Sequence, residues 1–148
     1  VARRVVILPT PNGTRALLKV SGAASTVVGA LVNAKAIAQR ARDQRRTLTL
    51  ACAGELGEPS LEDTVCAGVI IEAISQGGGP LELSDTAAIA RGVARDYRHR
   101  LGDLPVESGW GRHLLGRGCD KDLAACLALD AWPIVPVFRN GRVVASEP

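Results

Sequence analysis

The sequence predicts an α/β fold, a layered α/β/α domain with a mainly parallel sheet and a C-terminal β-hairpin. Three observations predict it. Short apolar runs of strand length alternate with longer stretches of helical periodicity. The first run, Val5-Val6-Ile7-Leu8, is apolar throughout, the mark of a strand covered on both faces. Near the end, Asn140-Gly141 sits between two β-branched runs, the strongest short-range signal for a type I′ hairpin.

Taken in order, residues 5–8 form the first expected strand, and Thr10-Pro11-Asn12-Gly13 breaks it. A short helix follows over residues 14–20, then a second strand within 25–30, centred on Thr26-Val27-Val28. Asn33 is placed to cap a helix over 34–42 whose apolar residues share one side. Residues 47–52 read as a third strand and 53–59 as a glycine-bearing loop. Ser60 and Asp63 fit a capping box that opens a helix to about residue 75. Gly77-Gly78-Gly79-Pro80 stops it, and Ser84-Asp85 opens the next helix, to about residue 97. The polar stretch 102–111 is expected to be a mobile connection. Two short helices around 112–115 and 121–129 lead to the hairpin strands 135–138 and 142–144.

The totals bound the function. A chain of 148 residues, 47% hydrophobic and 22% charged, is one domain's worth of globular protein. Lys and Arg total 18 against 15 Asp and Glu, a net charge of +3 too small to indicate nucleic acid. The arginines bunch at 40, 42, 45 and 46 and again at 95, 98 and 100, toward helix ends where cations complement the macrodipole. No aromatic residue interleaves with them, which argues against RNA. No apolar run approaches the ~20 residues of a membrane span. Cys52, Cys66, Cys119 and Cys126 make no C-x-x-C pair, so reduced thiols in the cytoplasm are expected rather than zinc. There is no methionine, and the chain opens almost directly on a strand-like run; both suggest a fragment.

Two segments can carry chemistry. Asn12-Gly13-Thr14-Arg15 lies where the first strand meets a helix. Free amide hydrogens there favour an anion, Gly13 allows close approach, Thr14 adds a hydroxyl, and Arg15 adds a planar fork suited to phosphate. The plainer reading is a strand-to-helix turn with Asn12 as cap. The second segment runs from Cys52 to Asp63 and also joins a strand to a helix. Glu62 and Asp63 in its first helical turn are hard oxygen ligands of the kind that suit magnesium. Equally, they offset the helix dipole and complete the cap. Cys52 lacks a nearby base, since the two histidines, His99 and His113, are remote in sequence. It reads as a buried structural cysteine. Asp85 reads as a helix cap and, more weakly, as a site candidate, and Asp120, Asp122 and Asp130 read as solvated or capping residues.

Together these segments resemble the 2-phosphosulfolactate phosphatase family. The pieces are Pro9-Thr10-Pro11-Asn12-Gly13-Thr14-Arg15-Ala16, Cys52-Ala53-Gly54, Ser60-Leu61-Glu62-Asp63 and Cys66-Ala67-Gly68. They continue through Leu83-Ser84-Asp85-Thr86-Ala87, Gly111-Arg112-His113-Leu114-Leu115 and Asp130-Ala131-Trp132-Pro133-Ile134-Val135-Pro136-Val137, in the family's order. The resemblance implies hydrolysis of a small phosphomonoester with Mg2+, the substrate being 2-phospho-3-sulfolactate on the route to coenzyme M. It implies that Asn12, Gly13, Thr14 and Arg15 hold the anion and that Glu62 and Asp63 hold or orient the metal. The family's N-terminal half, with an Asp-x-x-Arg-Ala-Thr motif, has no counterpart here, and Glu55 stands where a neutral residue is expected. The missing half or a second chain is therefore expected to complete the site. The competing expectation is a non-catalytic anion-binding or regulatory domain of the same fold.

Overall fold

A computed structural model describes residues 5–7 and 9–145. Its centre is the helix that the capping box announces. Ser60 accepts the Asp63 amide at 3.2 Å and opens α3, Leu61–Ser75. Leu61, Val65, Ile70, Ile71 and Ile74 are spread around its circumference, so α3 must be covered on several sides. Helices α2 (Ala34–Gln44) and α4 (Asp85–Asp96) both pack on it.

Three apolar clusters radiate from α3. Ile70 meets Ala34 and Ile37 of α2, with Val27 and Val135 behind them. Val65 meets Tyr97 and Leu104, and Ala67 and Ile71 meet Ala90 of α4. Gly68 sets the spacing between α3 and α4. A Cβ there would stand 2.1 Å from the Ala90 carbonyl oxygen and 2.5 Å from the Ala94 Cβ, so the two backbones approach as only glycine and alanine permit.

The remaining elements are short. They are α1 (Gly13–Lys19), β1 (Thr26–Val27), α5 (Leu104–Glu107), α6 (Gly109–Leu115), α7 (Asp120–Cys126), β2 (Pro136–Arg139) and β3 (Arg142–Ala145). Strands β2 and β3 form the expected hairpin. Asn140 and Gly141 both take positive φ, 50° and 72°, as a type I′ turn demands. Strand β1 joins the other edge of β2, antiparallel, with Thr26 opposite Phe138 and Val27 opposite Val137.

The mainly parallel α/β/α sheet is not found. The described residues hold seven α-helices and one three-stranded antiparallel sheet in the order β1-β2-β3. Val5, Val6 and Ile7 are exposed and outside any strand; Leu8 lies outside the described residues. Residues 47–52 also carry no ladder, although Leu50 packs against two of the apolar clusters. An apolar run becomes a strand only when a neighbour supplies its hydrogen bonds, and among the described residues neither run has one. The connection expected at 102–111 is instead mostly helical, comprising a 3-10 turn at Leu101–Asp103, then α5 and the start of α6, with Leu104 and Ser108 buried.

Asn33 does not cap α2 with its side chain. It is buried, accepts the Ala30 amide at 2.7 Å and donates to the Val28 and Ile134 carbonyls at 3.1 and 3.0 Å. It thereby ties β1 to the segment entering β2. The first turn of α2 is held from far along the chain, by Asp130, whose carboxylate accepts the Lys35 amide at 2.7 Å.

Candidate functional site

At the start of α1 a small reciprocal bond system forms. The Thr10 hydroxyl accepts the Thr14 amide at 3.2 Å, and the Thr14 hydroxyl accepts the Thr10 amide at 3.3 Å. Thr10 therefore plays the capping part, and Asn12 makes no side-chain cap bond. Gly13 lies under Thr10, whose Oγ1 would stand 2.8 Å from a Cβ added there. Thr14 and Arg15 are exposed, α1 buries none of its residues, and Arg15 forms no ion pair among the described residues.

The acidic pair occupies a second corner, where the loop 53–60 meets the first turns of α3 and α6. Asp63 Oδ2 accepts the Gly54 amide at 2.8 Å and so holds the loop against α3. Glu55 and Glu58 close that loop with paired backbone bonds of 2.9 Å each. Glu62 Oε2 accepts the Ser60 hydroxyl at 2.9 Å, and Oε1 accepts the Gly111 amide at 3.2 Å. Burial works against the charge on Glu62. The hydrogen bonds from the Ser108 hydroxyl, its own amide, Ser60 and Gly111 outweigh burial, and the carboxyl is held below its ordinary range.

Ser108 is the residue that sequence reasoning missed. It is 2% exposed, caps α6 by accepting the Gly111 amide at 3.0 Å, and faces Glu62. Its signal was a serine three residues before Gly111, inside a stretch read as a connection. Glu55 also reaches this corner, with its Oε2 4.0 Å from where a Cβ on Gly109 would stand.

Cys52 is exposed rather than buried. Burial of its sulfur region, then the Asp63 charge, raises its thiol pKa, and burial pushes the Cys66 thiol up to about 12. Neither environment makes a thiolate. Ser84 caps α4 through the Ala87 amide at 3.3 Å, which leaves Asp85 in the first turn as a dipole partner. Asp120 and Asp122 do the same in α7.

No hydrogen bond or ion pair among the described residues joins 12–15 to Glu62 or Asp63, and no group of three or more His, Cys, Asp or Glu converges as a metal site there. No described helix is long and apolar enough to cross a membrane.

The sequence model for 2-phosphosulpholactate phosphatase matches residues 1–141. The chain belongs to the 2-phosphosulpholactate phosphatase family. Among its relatives, a protein of Symbiobacterium thermophilum named "Probable 2-phosphosulfolactate phosphatase" is 38% identical over 144 residues, covering 97% of this chain and 62% of the relative. Proteins of the same name are 35% identical in a Cyanothece species and 31% identical in Caldanaerobacter subterraneus. The match covers 96% of this chain and 60% of the first, and 97% and 59% for the second. The chain thus spans about three fifths of the length of the curated relatives it matches.

Proposed function

We propose that this chain is part of a phosphatase that hydrolyses a small anionic phosphomonoester, 2-phosphosulfolactate, to sulfolactate and phosphate. The observation that carries the reading is the family match across residues 1–141. In this reaction a phosphorus–oxygen ester bond breaks and a water oxygen takes its place on phosphorus. The exposed Thr14 hydroxyl and Arg15 guanidinium, beside Gly13, suit the grip on phosphate and its neighbouring acid groups.

Magnesium is part of the proposal. Glu62 and Asp63 offer hard oxygens from one helical turn, and magnesium commonly takes one or two carboxylates together with water and substrate phosphate. Each carboxylate already accepts bonds that hold the fold, and no group of three or more His, Cys, Asp or Glu gathers among the described residues, so water and substrate rather than a protein cage would complete the shell. A bound magnesium ion supplies charge stabilisation to the phosphoryl oxygens. Glu62 and Asp63 would hold or orient it, while residues 12–15 would hold the anion. A cytoplasmic setting on the route to coenzyme M is part of the same proposal, and it rests on the family match.

The test is phosphate release from 2-phosphosulfolactate and a panel of small phosphate esters by the full-length protein, with magnesium and with EDTA. Metal-dependent release is expected, and no release from any ester overturns the reading. A second reading, a non-catalytic anion-binding domain, is favoured by the absence of any bond joining 12–15 to the acidic pair among the described residues. Anion binding that persists in EDTA without turnover decides for it.

A further inference from the structure

The two arginine bunches, far apart in sequence, do not simply decorate separate helix ends. The structure brings members of both to one groove, of about 930 Å³, that runs along α3 between α2 and the end of α4. Its floor is Val69 and Ala73 of α3 with Ala94 of α4. Lys35 and Arg42 stand on the α2 wall, and Arg95, Arg98 and His99 on the opposite wall.

The charge in this groove is not balanced. Two carboxylates line it, Glu72 and Asp130. Glu72 is shared by two guanidinium groups, Arg91 and Arg95, so that one negative charge answers two positive ones. Asp130 accepts the Lys35 backbone amide and keeps its charge, so four cations of the lining, Lys35, Arg42, Arg95 and Arg98, stand against two carboxylates. Arg42 donates to the Ala73 carbonyl and the Gln39 amide oxygen, both at 2.6 Å, and both acceptors are neutral. Those bonds, and the Gly77 backbone lying against its stem, fix the guanidinium in place without cancelling its charge. Lys35 and Arg98 are exposed and form no ion pair among the described residues. Arg100 shows the contrast. It is paired with Asp96, Asp103 and Glu107 and does not line the groove.

The geometry points to a second binding site, for a small anion bearing two or more phosphate groups, laid along α3 and held from both walls. Two facing rows of cations suit separated charges better than a single phosphate. The volume is of the order that holds a small ligand. A groove with low-dielectric walls concentrates the field of like charges lining it. The site lies away from residues 12–15 and from Glu62 and Asp63, none of which line it, so it stands whether or not the phosphatase reading holds.

Inorganic tripolyphosphate is the probe, titrated calorimetrically into the chain at low and at raised salt. Binding is expected, weakening with salt as screening shortens the reach of the cations. A Lys35→Gln/Arg98→Gln double variant is expected to raise Kd about tenfold or more, through loss of charge-assisted hydrogen bonds. Its unfolding midpoint is expected to match the parent, because both side chains are exposed. An Arg117→Gln/Arg139→Gln variant removes the same charge elsewhere, and is expected to keep Kd within about twofold if the groove is the site. No binding by the parent, an unchanged Kd in the groove variant, or equal weakening in both variants overturns the proposal. So does tighter binding of a single-stranded oligonucleotide that competes with tripolyphosphate, which assigns the groove to nucleic acid.

Discussion

The Gly111 amide donates to Glu62 Oε1 at 3.2 Å, joining the first turn of α6 to the first turn of α3. Replacing Glu62 with Ala removes an acceptor shared by the Ser60 hydroxyl and the Gly111 amide, and is expected to cost on the order of 1–3 kcal/mol. Urea unfolding measures it, and a loss of only a few tenths would mean that water replaces these bonds without penalty.

The same carboxylate predicts a pH dependence. Its pKa is depressed in the folded state from an ordinary 4.5. Its stabilising contribution is therefore complete above about 4.5 and fades as pH falls through the lower folded value. Melting curves of the parent and of Glu62→Gln are expected to differ most near neutrality and to converge on acidification. A gap that widens toward low pH contradicts the assignment.

Gly68→Ala places a methyl 2.1 Å from the Ala90 carbonyl oxygen and forces α3 and α4 apart. The expected cost is about 1–3 kcal/mol, the usual range for overpacking. Chemical denaturation of the two proteins reads it directly. Equal stability would mean that the helices separate freely.

Arg15→Ala is expected to leave the melting temperature unchanged, since α1 buries none of its residues. It is expected to weaken substrate or phosphate binding about tenfold, as loss of a charge-assisted fork does. An unaltered KM in the active full-length protein removes Arg15 from the anion cradle.

Cys66, with its thiol pushed up to about 12, is expected to resist iodoacetamide at pH 8 until the protein unfolds. Cys52→Ser is expected to retain activity, because the environment of Cys52 disfavours its thiolate. Mass spectrometry of the alkylated native protein follows the first, and a phosphate-release assay the second. Loss of activity in Cys52→Ser would restore it as a nucleophile.

What was legible in the sequence was local. The Ser60 cap, the ends of α3 and α4 and the Asn140-Gly141 turn each depend on residues a few positions apart, whereas the cap of α4 is Ser84 and not the expected Asp85. Residues 47–52 look like a strand by every local measure, yet a ladder needs a partner edge that local pattern does not supply. Ser108 was hidden for the opposite reason. Its sequence surroundings are polar and turn-like, and its neighbour Glu62 lies 46 positions earlier, out of reach of local pattern. The arginine bunches read as helix-end charges; their meeting along α3 depends on how α2 and α4 pack. Asn33 was expected to cap α2, but its partners Val28 and Ile134 make it a bolt between segments instead.

The bond from the Lys35 amide to Asp130 spans 95 positions. During synthesis the start of α2 must leave the ribosome long before its capping carboxylate exists. Strand β1 likewise waits for Phe138 and Val137. This half of the molecule therefore cannot mature vectorially. Its nascent helices must remain provisional until the final quarter of the chain returns to them, and loop closure over that distance slows folding.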